Sequence, residues 1–144
     1  MARDDRAELP AWAPGTVAIL STAGPEPHAI PVSTCVRSGP RTVHLALALG
    51  RESLARLRRD RRCALTLLAE GDLSVTAHGR ATVVEDPMRV SDRVAAVRLD
   101  VERIHDHRDP RHEILAGVAW RWIDPEAEAA DARIRAALAE MRSG

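Results

Sequence analysis

Three groups of residues in this chain have types and spacings that could do chemistry. The first is the run Gly50-Arg51-Glu52-Ser53-Leu54-Ala55-Arg56-Leu57-Arg58-Arg59-Asp60, which follows an alternating strand and leads into a second apolar one. Ser53 stands where a helix N-cap would stand, so the first turn would present free backbone N–H groups. Those donors, the positive end of the helix dipole and the guanidinium groups of Arg51 and Arg56 together predict a seat for phosphate. The same residues also describe a basic, solvated helix between two strands.

The second group is His105, His107 and His112, with Asp106, Asp109 and Glu113 among them. A His-x-His pair can bind zinc, but no fourth-ligand pattern accompanies it, and a solvated loop without metal is the expectation. The third is dispersed. Asp100 and Glu102 alternate at strand spacing and read as a solvated face, while His28, His44 and His78 fall on three separate strands. Trp120 and Trp122 point the same way from a predicted last strand: one is expected to fill core, and the other either does the same or covers a ligand.

Composition sets the limits within which such groups can act. At 144 residues the chain is expected to be a single domain spanning 1–144, able to bury a core without disulfides or metal. Its formal net charge is zero, and all 21 of its basic residues are Arg, with Lys, Phe, Tyr, Asn and Gln absent. The missing types mostly have A/T-rich codons, which points to a GC-rich genome rather than to a function. The cluster Arg51, Arg56, Arg58, Arg59, Arg61 and Arg62 invites a nucleic-acid reading. Zero net charge and the lack of a stacking platform argue against it. Cys35 and Cys63 lie in predicted strands and read as small buried hydrophobes. No run reaches transmembrane length, and the charged opening Met1-Ala2-Arg3-Asp4-Asp5-Arg6 is not that of a signal peptide, so a cytoplasmic protein is expected.

The elements that must position these groups follow from periodicity. Residues 1–12 read as a loose or helical arm closed by Pro10 and Pro14. Thr16 to Ser21 and His28 to Val36 read as extended, with Pro31 tolerated on an edge. Thr42 to Leu49 alternates, with Val43, Leu45, Leu47 and Leu49 on one face and the smaller Ala46 and Ala48 on the other. A helix runs from Ser53 to about Asp60, and Cys63–Ala69 and Leu73–Val84 form a hairpin about Glu70-Gly71-Asp72. Asp86-Pro87 breaks the chain. Val97, Leu99 and Val101 mark another strand, Gly117 to Ile123 a last one, and Pro125 to Met141 a terminal helix. Six or seven antiparallel strands, one inserted helix and one C-terminal helix predict a mainly β fold, a small closed barrel with helical covers.

The ordered set of pieces resembles the pyridoxamine 5′-phosphate oxidase-like family of FMN-binding split barrels. Those pieces are Pro27-His28-Ala29-Ile30-Pro31-Val32, Gly50 to Arg62 leading into Cys63-Ala64-Leu65, Thr76-Ala77-His78-Gly79-Arg80-Ala81, and Gly117 to Trp122. The resemblance implies a split β-barrel, a homodimer with cofactor at the interface, and a flavin- or deazaflavin-dependent oxidoreductase acting on a small conjugated or heteroaromatic substrate. It implies that the isoalloxazine lies along Val32, Ser33, Thr34, Ala46 and Leu47, that the phosphate sits with Arg51, Ser53 and Arg56, and that Ser74 reaches in from the other subunit. Tight FMN binders of this kind often carry an Arg-Lys pair before the helix, and those positions fall here on Glu52 and Ser53. The cofactor is therefore left open between FMN and the deazaflavin coenzyme. Two alternatives stand beside this reading: a binding or sensing barrel that has lost its cofactor, and a haem-handling barrel with an iron ligand from His28, His78 or the 105–112 loop.

Overall fold

The computed structural model describes residues 5–141. In chain order the elements are β1 (Asp5–Arg6), β2 (Ala18–Thr22), β3 (His28–Val32), β4 (Val36–Gly39), β5 (Thr42–Ala48), α1 (Glu52–Arg59), β6 (Arg62–Ala69), β7 (Leu73–Glu85), β8 (Val94–Asp106) and α2 (Pro125–Glu140). All pairings are antiparallel, in the order β3-β2-β6-β7-β8-β5-β4, with β1 beside β8. The two end strands, β3 and β4, do not pair with each other. The ladder is thus an open, split barrel rather than the closed one that tight hairpins alone suggest.

Strand alternation builds the interior. Cys63, Leu65, Leu67 and Ala69 of β6 face inward, as do Val43, Leu45 and Leu47 of β5 and Val97, Leu99 and Val101 of β8, in one continuous core. The hairpin joining β6 to β7 turns at Glu70-Gly71-Asp72, where Gly71 and Asp72 both adopt positive φ. Halfway along β7 the register with β8 shifts at Gly79, where a Cβ would stand 2.1 Å from the Asp100 carbonyl oxygen, so only glycine allows this strand approach.

Three covers complete the molecule. Helix α1 closes one end by burying Leu54 and Leu57 in the core. Residues 7–16 cross near β4, with Leu9 buried, its N–H donating to the Pro40 carbonyl, and the Trp12 indole donating to Cys35 O at 3.0 Å. Helix α2 begins at the Asp124 cap and Pro125, as expected, and lays Ile134 and Leu138 over Ala46, Met88 and Ala96.

Several sequence expectations are corrected. The N-terminal arm is not helical over its described part: Asp5 and Arg6 extend the edge that β5 leaves on β8 and residues 7–12 follow without regular structure, while residues 1–4 of that arm and of the charged opening lie outside the described residues. Gly117 to Ile123 is not a strand but an irregular strap. Its place is fixed by Gly117, where a Cβ would meet Leu68 O at 2.5 Å, and by a two-way bridge in which Asp72 N–H donates to the Ile114 carbonyl and Ile114 N–H donates to the Asp72 carboxylate. Trp120 and Trp122 do not fill core: both remain partly exposed, edge to face with ring centroids 5.4 Å apart, and the Trp120 indole donates to Gly15 O. Trp12 packs against the main core instead.

Candidate functional site

Apart from Ser74, the expected site residues gather around two places, the seam where the link from β3 to β4 meets β5 and the entrance of α1. At the seam, β5 runs past the end of β4, which leaves the backbone of Ala46 unpaired on that side. Thr34 takes up both groups: its hydroxyl oxygen lies 3.1 Å from Ala46 N–H, which donates to it, and 3.1 Å from Ala46 O, to which it donates. Val32 and Leu47 turn their side chains into the core, and Ser33 is half-buried beside them. Ala46 was expected to leave room for a flat ring. That space is filled, because its methyl group lies in the apolar cluster under α2 with Ile134 and Leu138.

At the entrance of α1 the N-cap is Arg51, not Ser53, and no side chain caps the helix. Ser53 sits in the first turn, 1% exposed, because its hydroxyl is held by a strand: Oγ lies 2.9 Å from His28 Nε2 of β3. The other ring nitrogen, Nδ1, lies 3.0 Å from Glu52 Oε2. With Nδ1–H donating to the carboxylate, Nε2 accepts from Ser53 O–H, and a single imidazole joins the edge strand to the helix. Glu52 also stands 3.8 Å from Arg56 Nε. Arg56 is only 7% exposed, and its Nη1 donates to the Glu26 carbonyl, pinning the turn between β2 and β3. Beside it opens a cleft of about 450 Å³ bounded by Gly24, Glu26, Glu52, Arg56, Arg59 and Asp60. Arg51 alone of the predicted phosphate ligands is exposed.

His28, read from the sequence as a strand histidine and as one of several iron-ligand candidates, has a different role here, joining Ser53 and Glu52. Its contacts lie 25 residues away in sequence, so no local spacing announces them. Ser74 lies at the end of the β6–β7 hairpin remote from α1, buried, with its carbonyl accepting from His107 N–H. It could join the α1 entrance only from a second copy.

The remaining histidines form a separate surface. His105 and His107 stack with ring centroids 4.5 Å apart, and His107 Nε2 lies 2.7 Å from Thr76 Oγ1, which in turn meets Thr66 Oγ1 at 2.9 Å. Burial, then the charge of His105, holds the His107 pKa below the usual imidazole range. Among the described residues no three His, Cys, Asp or Glu side chains converge as a metal site would require. Asp100 and Glu102 make surface ion pairs with Arg98 and Arg80, as a solvated face should. Both cysteines are free and buried, and burial pushes each thiol up to about 12.

No protein-family profile matches the chain, and no curated protein matches it in sequence. Solved structures do match it in fold. A protein from Clostridium acetobutylicum related to general stress protein 26, of the pyridoxine-phosphate oxidase family, superposes with a TM-score of 0.52 at 11% identity, over 64% of this chain and 80% of its own. An FAD-binding protein from Mesorhizobium loti matches with a TM-score of 0.52 at 16% identity, over 62% and 83%. The fold is the pyridoxamine 5′-phosphate oxidase-like split barrel. A heme binding protein from Mycobacterium smegmatis matches with a TM-score of 0.50 at 19% identity, over 63% of this chain and 48% of that one.

A terminal phosphate dianion does not fit the split-barrel α1 entrance as these side chains arrange it. Glu52 already supplies the negative charge at the first turn, Ser53 has given its hydroxyl to His28, and Arg56 gives Nη1 to the Glu26 carbonyl with Glu52 facing its Nε. No helix of the described residues is long and apolar enough to cross a membrane.

Proposed function

We propose that this protein is a homodimeric split-barrel oxidoreductase that binds a flavin or deazaflavin along the free edge of β3, with a small conjugated or heteroaromatic compound as substrate. The observation that carries this reading is the unpaired seam. β3 keeps one edge free of backbone partners, Ser33 is half-buried beside it, and Arg51 is exposed at the uncapped entrance of α1. A flat ring needs such a shelf, with backbone groups for its polar edge and a cation at its far end. The FAD-binding relative in Mesorhizobium loti shows that the fold accommodates a flavin. When bound, such a cofactor supplies the hydride chemistry, and the protein orients the ring and shields it from water.

The dimer follows from the outer surface. Leu115 (77% exposed), Val118, Ile123 (91% exposed) and Leu68 present apolar side chains around the strap. Exposed apolar patches of this kind mark contact surfaces. Sedimentation at micromolar concentration is expected to give twice the chain mass, and a monomer would remove the interfacial site.

Binding tests the cofactor. Titration with FAD and with the deazaflavin coenzyme should change cofactor fluorescence, and Arg51→Ala should weaken that binding while leaving the fold intact. A protein that takes up neither is a binding or sensing barrel. The stacked pair His105 and His107 on an open face favours a second reading, haem handling, which the mycobacterial relative also supports. A Soret band on adding hemin, lost in His107→Ala, would select it.

A further inference from the structure

We infer that Glu52, held by His28 against Ser53, makes the α1 entrance a seat that rejects a phosphomonoester dianion and admits a flavin-type ligand only where that end is uncharged or a phosphodiester. This selectivity rests on the ligand class proposed above. Three contacts carry it. The Glu52 carboxylate occupies the first turn, where an anion gains most from the helix dipole. His28 Nδ1 fixes it there at 3.0 Å, and His28 Nε2 uses up the Ser53 hydroxyl at 2.9 Å, so the one neutral donor that could face a phosphate turns inward.

The buried side chain of Arg56 provides a second, independent sign. Among the described residues its Nε has no hydrogen-bond partner, although it is shut away from water beside the cleft formed with Glu52 and Glu26. A buried guanidinium N–H left unmatched calls for an acceptor, and Glu52 at 3.8 Å is the nearest anion. With Glu26 O on Nη1 and Glu52 the anion that faces Nε, a dianion reaching Nε would have to displace the Glu52 carboxylate that His28 holds in place. A phosphodiester carries one charge instead of two, and exposed Arg51 can balance it without displacing Glu52.

Two measurements test this. In fluorescence titrations the wild type should bind riboflavin about tenfold more tightly than FMN, the size expected for charges of one and two about 6 Å apart in a nearly aqueous medium. Glu52→Gln keeps an acceptor for His28 and should close most of that gap by improving FMN alone. Raising salt should narrow it in the wild type, because Glu52 is 61% exposed and the repulsion is screened. FMN binding at least as tight as riboflavin in the wild type, or Glu52→Gln improving both ligands equally, would overturn the inference.

The second measurement needs no flavin. Melting in inorganic phosphate against chloride of equal ionic strength should leave the wild type unmoved and raise the melting temperature of Glu52→Lys. Equal stabilisation of both proteins, or of neither, would refute the seat. A difference here without any flavin binding would uphold Glu52 as the barrier to phosphate and overturn the ligand class instead.

Discussion

Leu138→Ala tests whether α2 closes the face of β5 on which the sequence placed a flat ring. Leu138 is fully buried, and with Ile134 it is the main apolar anchor of α2 over Ala46, Met88 and Ala96. Truncation removes about three methylene equivalents at ~0.8 kcal/mol each, or roughly 2.4 kcal/mol of transfer free energy. The small alanines opposite cannot collapse into the space, so a cavity cost brings the total to about 3 kcal/mol, within the range seen for buried leucines. With a urea m-value of about 2 kcal/mol/M, the unfolding midpoint should fall by about 1.5 M. Tryptophan fluorescence and far-UV circular dichroism followed together will show whether helix and barrel unfold as one. Arg133→Ala, at an exposed side chain of the same helix, is the control and should change stability by less than about 0.5 kcal/mol. A loss below about 1 kcal/mol in Leu138→Ala, or a helix signal that melts ahead of the barrel, would mean that α2 is not firmly docked. The Ala46 face would then be available to a ligand after all.

Gly79→Ala should abolish the soluble fold, because its Cβ would stand 2.1 Å from a backbone oxygen that cannot move without breaking the longest ladder, β7 with β8; a soluble variant with wild-type unfolding would refute the strand approach. Cys35 and Cys63, each with its pKa pushed up to about 12 by burial, should resist a thiol reagent at pH 8 in the native protein and react fully in denaturant; rapid native labelling would contradict their burial. His44 is buried against Ser38 Oγ at 2.6 Å, and burial, then Arg98, lowers its pKa; burial and His105 do the same for His107. The folded state therefore binds fewer protons than the unfolded one, so this contribution is full above about pH 6.5 and declines as the pH falls through that value. A lower urea midpoint at pH 5.5 than at 7.5 is expected, with a smaller difference in His44→Gln, and an unchanged midpoint would refute it.

The parts of this fold legible in the sequence are those set by local period. Alternation in β5 and β6, the Glu70-Gly71-Asp72 turn and the Ile134/Leu138 spacing each follow from which side chains share a face. What the sequence concealed depends on partners far along the chain. The segment from Gly117 to Ile123 alternates like a strand, yet the edge of β8 that β5 leaves free is taken by β1, whose two polar residues show no period at all. Small residues on β5 read as room, but the helix that fills this room lies some eighty positions later. Ser53 looks like a cap because serine often is one. His28 claims its hydroxyl, and Arg51 becomes the boundary by default.

These same long-range contacts narrow where a planar ligand can go. Thr34 has bridged the backbone groups of Ala46 that β4 leaves unpaired, so this residue of β5 offers a ligand no hydrogen bond. α2 covers the outer face of Ala46 and Ala96, and α1 with the 7–16 segment closes off the interior. What stays open is the free edge of β3, where Ala29 and Pro31 are exposed and Pro31 lacks an N–H to offer. An edge with so few donors binds a flat ring weakly by itself. A pocket deep enough to exclude water must take its second wall from elsewhere, and the exposed apolar strap of another copy has the chemistry for it. On this reasoning ligand affinity should fall with protein dilution in step with dimer dissociation. An affinity independent of protein concentration, across a range where sedimentation shows the dimer coming apart, would place the whole site within one chain.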